Sequence, residues 1–214
     1  MISKAYKIPS SKISVIPHGI YDHYERVENA KELLGIKEDF VILFFGLIRP
    51  YKGVRYLVEA FESLPNEIVE RSRLLIVGEV WEDKESVKRI EESRLREKIV
   101  FVNRYVPDEE VSLYFSASDV IVLPYLRASQ SGVAHIAMSF GIPIVATKVG
   151  GLSELSDYEG THFVDASAES IAKALQRIYF ERRKFKPPER LRWENLAKKW
   201  MESIEEARAK EKLI

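Results

Sequence analysis

The 214-residue chain contains no cysteine, which excludes disulfide bonds and thiolate metal sites and permits a reducing compartment. Its four histidines (His18, His23, His135 and His162) have no HxH or HxxxH spacing, so we expect no catalytic metal. Lys+Arg and Asp+Glu are equal at 33 each, and this balance leaves no net charge to attract nucleic acid. We find no apolar signal core and no apolar run long enough to span a bilayer.

Several well-known motifs are also missing. The sequence has no GxxxxGK[ST] loop, no GxGxxG, no nucleophile elbow and no kinase signature, which argues against P-loop, dehydrogenase, hydrolase and kinase functions. Hydrophobic residues make up 46% and charged residues 31%, which indicates a globular protein of one domain, or two at most. Abundant lysine, glutamate and arginine without cysteine also fit a thermophilic source.

Hydrophobic periodicity predicts alternating strands and helices along the whole chain. Such alternation indicates an α/β fold with a doubly wound, Rossmann-like parallel sheet. Asp108 is expected to cap the helix that follows it. The predicted strands are Ile13–Pro17, Phe40–Phe45, Arg73–Val77, Ile99–Asn103, Val120–Pro124, Ile142–Ala146 and Thr161–Val164. The predicted helices are Glu28–Leu34, Val54–Leu64, Lys84–Glu97, Glu109–Ala117, Val133–Phe140, Ala168–Phe180 and one that starts near Trp193.

Two strands end in glycine, at Gly46 and Gly78, and a ligand should bind at that carboxyl edge of the sheet. The loop after Gly46 carries Arg49 and Lys52 just before a helix start. A planar guanidinium fork, a point charge and the positive end of a helix together suit a diphosphate. An ordinary basic surface loop is equally compatible with this pattern.

Other candidate residues carry weaker signals. Ser129, Gln130, Ser131 and Gly132 precede a small-residue helix, where free N–H groups, hydroxyls and an amide bind phosphate or sugar hydroxyls, although Ser129 or Ser131 could simply cap the helix. Gly150 and Gly151 permit close approach of a ligand. His18 and Gly19 follow the first predicted strand and have either a functional or a structural role, while Trp81 and Glu82 line a cleft or merely cover the sheet edge.

Taken in order, several phrases resemble the carboxyl-terminal, nucleotide-sugar-binding domain of GT-B glycosyltransferases, in the retaining family-four group. The ordered set is specific, although no single phrase is decisive. The matching phrases are VIPHG (Val15–Gly19), FFGLIRPYKGVRYLVEAF (Phe44–Phe61), LLIVGE (Leu74–Glu79), VPDEEVSLYFSASDVIVLPY (Val106–Tyr125), AMSFGIPIVATKVGGLSE (Ala137–Glu154) and a terminal WENLAKKW.

The resemblance implies a domain organisation. Residues 1–12 would be a lead-in, 13–190 the nucleotide-sugar domain, and 191–214 an amphipathic helix that crosses to an amino-terminal acceptor domain. This chain looks like the second domain alone, so that acceptor domain would be missing or lie on another chain. The apolar stripe of Leu196, Trp200 and Ile204 is then expected to be exposed or to be hidden by self-association.

The resemblance also implies residue roles. Arg49 and Lys52 would neutralise the donor diphosphate and stabilise the leaving charge. The family's arginine more often stands directly after the glycine, where this chain has Leu47, and we expect Arg49 to take over its role. Contacts to diphosphate and sugar are expected from Gly46, His18, Gly19, Ser129, Gln130, Ser131 and Gly132. Contacts to the nucleotide are expected from Gly78, Glu79, Arg104, Tyr105, Gly150, Gly151 and Glu154.

One departure from the family pattern stands out. The family typically carries two glutamates, eight positions apart, that hold sugar and ribose hydroxyls, and the alignment places Ala128 and Ile136 there. No carboxylate lies between Asp119 and Glu154. Those contacts must therefore come from Ser129, Gln130, Ser131 and backbone amides, or be lost.

The function implied is transfer of a sugar from a nucleotide sugar to an acceptor, with retention and without metal or cofactor, in a chain incomplete on its own. The location implied is cytoplasmic, or peripheral at the inner membrane face in the full enzyme. One alternative is a non-catalytic nucleotide-sugar-binding subunit or interaction module. A less favoured alternative is a GT-B-like sugar-nucleotide epimerase, whose acidic and histidine groups are not evident here.

Overall fold

The computed structural model describes residues 5–211 and contains a six-stranded sheet in the order β3-β2-β1-β4-β5-β6. Every strand pairs in parallel with its neighbours, as the doubly wound prediction requires. The strands are β1 Phe40–Phe45, β2 Ser72–Val77, β3 Ile99–Val102, β4 Val120–Leu123, β5 Ile144–Thr147 and β6 Thr161–Val164.

Helices cover both faces of this sheet. Val54–Glu62 packs against Lys84–Glu91 and Ala168–Glu181 on one side, and Ala30–Leu33 packs against Asp108–Ser116. In the described part of the chain, no helix is long and apolar enough to cross a membrane. The α-helices are α1 Ala30–Leu33, α2 Val54–Glu62, α3 Asn66–Glu70, α4 Lys84–Glu91, α5 Asp108–Ser116, α6 Gly132–Ser139, α7 Ala168–Glu181 and α8 Trp193–Glu211. Short 3-10 segments include Pro50–Lys52 and Gly150–Asp157.

The core forms where the sequence is continuously apolar. The central strands β1 and β4 are almost wholly buried, as expected of strands covered on both faces. Asp119 joins them at their amino ends, since its Oδ2 accepts hydrogen bonds from Lys31 Nζ at 2.7 Å and from the Val41 amide at 2.8 Å. The carboxylate thus binds both a cation and the backbone of the neighbouring strand.

The strand order reverses between β1 and β4. From β1 the chain winds outward to β2 and β3, and then returns to the other side of β1 as β4. The loops that follow β1 and β4 therefore diverge onto opposite faces and leave a crevice between them. That crevice lies at the carboxyl edge predicted to bind a ligand.

The chain divides into two compact units, residues Tyr21–Pro187 and a unit built from the described parts of Met1–Ile20 and Pro188–Ile214. In this second unit the Ile20 amide donates to Leu191 O at 3.0 Å, and the His18 and Trp193 rings lie 5.8 Å apart. On α8, Trp200 and Ile204 are exposed as predicted, whereas Leu196 is buried, so the predicted exposed stripe was wrong at that position. The first four residues of the predicted lead-in and the last three of the predicted terminal helix lie outside the described residues.

The structure corrects three local predictions. Ile13–Pro17 is not a strand: within residues 5–211 no strand pairs with it, and Val15 is 85% exposed. The predicted helix Lys84–Glu97 ends at Glu91, because Glu62 accepts hydrogen bonds from Ser93 Oγ at 2.6 Å and from the Arg94 amide at 3.0 Å. Asp108 does not cap α5 but is its first residue, and Pro107 occupies the cap position. The Asp108 carboxylate accepts a hydrogen bond from the Tyr24 hydroxyl.

Candidate functional site

A cavity of about 400 Å³ lies in the crevice between the loops that follow β1 and β4. The first loop supplies Tyr51 and Lys52 to its wall. The second loop supplies Tyr125, Arg127, Ala128, Ser129 and Gln130. The cavity therefore combines two cations, two phenol rings, a hydroxyl and an amide at the sheet's topological switch point.

Backbone contacts hold these two loops together. The Leu126 amide donates to Tyr51 O at 2.7 Å. Gly53 has a φ of +67°, and a Cβ at this position would lie 2.1 Å from Pro124 O. Only glycine combines that left-handed backbone with such a close approach. Gly53 thus sets the distance between the loops at the point where α2 begins.

Lys52 lies half-buried in the cavity wall. Its Nζ is 3.8 Å from the centroid of the Tyr125 ring and 5.7 Å from that of Tyr51. Burial lowers the pKa of Lys52 below its ordinary value and the charge of Arg49 lowers it further, while Tyr51 opposes the shift. None of the described residues that line this cavity has a carboxylate, so Lys52 offers its positive charge to an anionic ligand.

The loop after β4 brings polar groups to the start of α6. Ser129 and Gln130 line the cavity, and Gly132 is the first residue of the helix. Ser131 is the N-cap residue but makes no side-chain cap bond, and its Oγ lies 3.5 Å from the Tyr125 hydroxyl. The cap alternative thus fails for Ser131, and the first amides of α6 carry no side-chain cap from it.

The glycine pair Gly150–Gly151 packs directly under this polar loop. The Gly151 amide donates to Ala128 O at 3.1 Å. A Cβ at Gly150 would lie 1.8 Å from Ala128 O, and one at Gly151 would lie 1.5 Å from Ser129 O. The pair therefore supports the loop that carries Ser129, instead of leaving open space for a ligand at its own position.

Other cavities lie on the described part of the chain. One of about 650 Å³ is an open groove along β6, and one of about 250 Å³ lies at the amino edge beside Arg26 and Arg182. One of about 420 Å³ adjoins the switch-point cavity and shares Tyr51 and Arg127 with it, but Asp83 and Glu85 also line its wall. The larger size of the groove does not make it the better candidate, because Lys173 and Arg177 in its wall are already paired with Glu169 and Glu181. The carboxylates of Asp83 and Glu85 would repel an anion from the adjoining cavity, so the switch-point cavity is the candidate site for an anionic ligand.

The model of the family described as glycosyl transferases group 1 matches residues 26–200. The chain belongs to this family. Among curated proteins, this group 1 chain is 26% identical over 220 residues to lipopolysaccharide 1,2-N-acetylglucosaminetransferase of Salmonella typhimurium, covering 92% of this chain and 58% of that protein. The chain spans about half the length of the curated relatives it matches.

Solved glycosyltransferase structures share the fold. The carboxyl-terminal domain of LpcC, a glycosyl transferase group 1 protein from Francisella tularensis, superposes with a TM-score of 0.65 at 22% identity, covering 83% of this chain and 93% of that one. Anabaena HepE in complex with UDP superposes with a TM-score of 0.73 at 18% identity, covering 90% of this chain and 57% of that one. The Rossmann-like fold of this group 1 chain thus matches GT-B glycosyltransferase structures.

The predicted site residues of the group 1 chain are only partly brought together. Lys52, Ser129 and Gln130 line one cavity, and Gly132 begins the helix beside them. Gly46 has a φ of +106°, which favours glycine, and a Cβ there would make an ordinary contact 3.7 Å from Val133 Cγ2 of α6. Arg49 instead stacks on the ring of Trp81 at 4.7 Å, outside the residues that line the cavity.

The remaining predicted residues have other surroundings. Gly78 packs against the backbone of Gly46, and the Glu79 carbonyl accepts from the Ile48 amide at 2.9 Å. Arg104 forms an ion pair with Glu110, while Tyr105 and Glu154 are exposed. His18 and Gly19 belong to the chain-end unit, where Trp193 packs against the position of a Gly19 Cβ.

Sequence reasoning missed three residues that line the cavity, namely Tyr51, Tyr125 and Arg127. Tyr51 stands between Arg49 and Lys52, and Arg127 opens the polar loop after β4. Their positions directly after strand ends were a usable signal. The signal was weak because exposed tyrosines and arginines are frequent in loops.

Proposed function

We propose that this chain is the donor-binding domain of a group 1 glycosyltransferase, which holds a nucleotide sugar for transfer to an acceptor carried by an amino-terminal domain. The observation that carries the proposal is the cationic cavity at the β1/β4 switch point, beside the start of α6. The position and chemistry of this cavity suit a diphosphate. Two further findings support it: HepE is complexed with UDP, and the LpcC structure is a carboxyl-terminal domain.

In this proposal Lys52 contacts the diphosphate and the first amides of α6 contact a phosphate or the sugar. Negative charge grows on the leaving diphosphate as the glycosidic bond breaks, and a fixed cation stabilises that charge. Ser129 and Gln130 replace carboxylates as partners of sugar hydroxyls. In the proposed front-side transfer, the acceptor oxygen bonds to the anomeric carbon on the same face from which the diphosphate leaves, so the configuration is retained without a protein nucleophile. The leaving diphosphate takes the proton of the acceptor hydroxyl, so no protein base is needed.

The proposed nucleotide contacts come from the neighbouring loops. Arg104 and Tyr105 follow β3, and Tyr105 is 72% exposed, so its ring is free to stack on a base. Glu154 lies in the exposed part of the 3-10 segment Gly150–Asp157. Gly150 and Gly151 act through the loop they support. We expect donor binding to require no divalent metal.

Isothermal titration with a panel of nucleoside diphosphates, in EDTA, tests the proposal. We expect at least one of them to bind the wild-type chain, and Lys52→Gln to weaken that binding about tenfold through loss of a charge-assisted contact. Lys173→Gln is the matched control, since Lys173 is an exposed lysine on α7 whose ion pair is with Glu169. Folded wild-type protein that binds none of the diphosphates would contradict the proposal, as would equal affinities for the two variants.

A non-catalytic nucleotide-sugar-binding subunit is the second candidate. It is favoured by one observation, the absence of any carboxylate between Asp119 and Glu154. Nucleotide-sugar turnover by the protein together with an acceptor domain separates the two functions. Product of retained anomeric configuration supports the transferase, whereas tight binding without turnover supports the subunit.

A further inference from the structure

Arg127 lies in the wall of the switch-point cavity, yet no family motif singles it out. It is the first residue of the polar loop Arg127–Gly132, and its guanidinium lies 5.3 Å from the centroid of the Tyr51 ring. Lys52 Nζ lies 5.7 Å from the same centroid. Among the described carboxylates, none forms an ion pair with Arg127. Two cations from two different loops thus adjoin one aromatic ring in one cavity.

Arg49, the residue expected from sequence to be the second cation, is placed differently. Its guanidinium stacks on Trp81 at 4.7 Å, and its Nε is buried without a hydrogen-bond partner in the described structure. Neither Arg49 nor Trp81 lines the cavity that contains Lys52, Ser129 and Gln130. Swinging Arg49 into that cavity would break its stacking contact with the indole.

We propose that Arg127, rather than Arg49, is the second cation that holds the donor diphosphate together with Lys52. This assignment rests on the proposed function, because it names a further binding residue for the same site. It places one cation on the loop after β1 and the other on the loop after β4, so the diphosphate would bridge the switch point.

Neighbouring contacts hold both the backbone and the side chain of Arg127 in place. The Leu126 amide donates to Tyr51 O at 2.7 Å, which fixes the backbone next to Arg127 against the loop that carries Lys52. Stacking on Tyr51 restricts the guanidinium, so less side-chain entropy is lost when it binds an anion. The planar fork of an arginine can also donate two parallel hydrogen bonds to one phosphate, which a lysine cannot do.

The test compares Arg127→Gln and Arg127→Lys with Arg49→Gln and a matched control, Arg183→Gln. Arg183 is an exposed arginine that also rests on an aromatic ring, 5.4 Å from the centroid of Phe185. The probes are inorganic pyrophosphate, the tightest-binding nucleoside diphosphate of the panel, and its nucleoside without phosphate. Affinities are measured by isothermal titration, and folding of each variant is checked by circular dichroism.

We expect Arg127→Gln to lower the affinity for pyrophosphate and for the nucleoside diphosphate about tenfold or more, and to leave the affinity for the nucleoside unchanged. Arg127→Lys should restore part of the loss because it keeps the charge but not the fork. Arg49→Gln and Arg183→Gln should bind pyrophosphate like the wild type. This pattern would support the assignment.

Two results would overturn the assignment while leaving the proposed function intact. One is an unchanged pyrophosphate affinity in Arg127→Gln, or a loss in Arg49→Gln as large as the loss in Arg127→Gln. The other is an equal loss of nucleoside and pyrophosphate affinity in Arg127→Gln, which would indicate collapse of the loop. Wild-type protein that binds neither pyrophosphate nor any nucleoside diphosphate would instead overturn the proposed function itself.

Discussion

At the scale of single residues, Lys52 shows how a binding site costs stability. The ammonium group sits over the Tyr125 ring in a half-buried position, and burial lowers its pKa. A lowered pKa in the folded state means that the charged lysine is less favourable there than in the unfolded chain. An anionic ligand would remove this penalty, which is consistent with a residue retained for binding.

We therefore predict that Lys52→Met raises the free energy of unfolding at pH 7 by about 0.5–1 kcal/mol, since methionine fills similar space without a charge. Between the lowered pKa of Lys52 and the ordinary value of 10.5, the unfolded chain holds more protons than the folded chain. Wild-type stability should then rise with pH in this window, and the advantage of the variant should shrink.

Urea unfolding at several pH values measures this difference. Lys173→Met, at an exposed position, serves as the control and should show no such pH dependence. The prediction is wrong if Lys52→Met is less stable than the wild type by the same amount at every pH. That result would show that the contact of the ammonium group with the Tyr125 ring outweighs the cost of burying its charge.

The residue scale is also where sequence reasoning was least complete. Lys52, Ser129 and Gln130 could be named from their positions after strand ends, and the structure places them together. The sequence could not show whether Arg49 or Arg127 faces the cavity, because each guanidinium is positioned by an aromatic ring on a different loop. Arg49 stacks on Trp81, and Arg127 stacks on Tyr51. A sequence pattern contains no information on which aromatic ring a guanidinium covers.

At the scale of elements, the strands were the most predictable part. β1 and β6 were predicted with the observed bounds, and β2 to within one residue, because continuous apolar runs between turn residues have few other stable conformations. Ile13–Pro17 has the same character but no partner strand, and helix α4 is shortened by the distant Glu62. Both failures arise from long-range hydrogen bonding, which local pattern does not report.

The glycine pair Gly150–Gly151 gives a sharp test of how one element supports another. We predict that Gly151→Ala lowers the free energy of unfolding by about 2–4 kcal/mol, because its Cβ would lie 1.5 Å from Ser129 O and must displace the loop. Nucleoside diphosphate binding should weaken with it, since Ser129 and Gln130 would move. Urea unfolding and isothermal titration measure the two effects.

Gly35→Ala is the matched control for this prediction. Gly35 has a φ of +67°, but no described atom lies within 4 Å of its Cβ position, so alanine there should cost about 1 kcal/mol through backbone strain alone. Its nucleotide affinity should equal that of the wild type. If the Gly151→Ala variant has the same nucleotide affinity as the Gly35→Ala variant, the glycine pair does not support the binding loop.

At the scale of the whole molecule, the strand order determines where the sheet can bind a ligand. The reversal between β1 and β4 opens one crevice at the carboxyl edge, and the loops that line it carry Lys52 and Arg127 on its two sides. The sequence predicted a doubly wound sheet and a ligand at that edge. It could not predict which two loops meet, because strand order follows from packing that the alternation of elements leaves open.

We propose above that the cavity between the loops after β1 and β4 holds the donor diphosphate. Amide chemical-shift mapping tests it most directly, by titrating ¹⁵N-labelled protein with the tightest-binding nucleoside diphosphate. We predict that the largest shifts fall in residues 46–53 and 127–133, with smaller ones at 150–151 where the glycine pair supports the loop. Shifts concentrated at the amino-edge cavity beside Arg26 and Arg182, with residues 46–53 and 127–133 unmoved, would contradict the account.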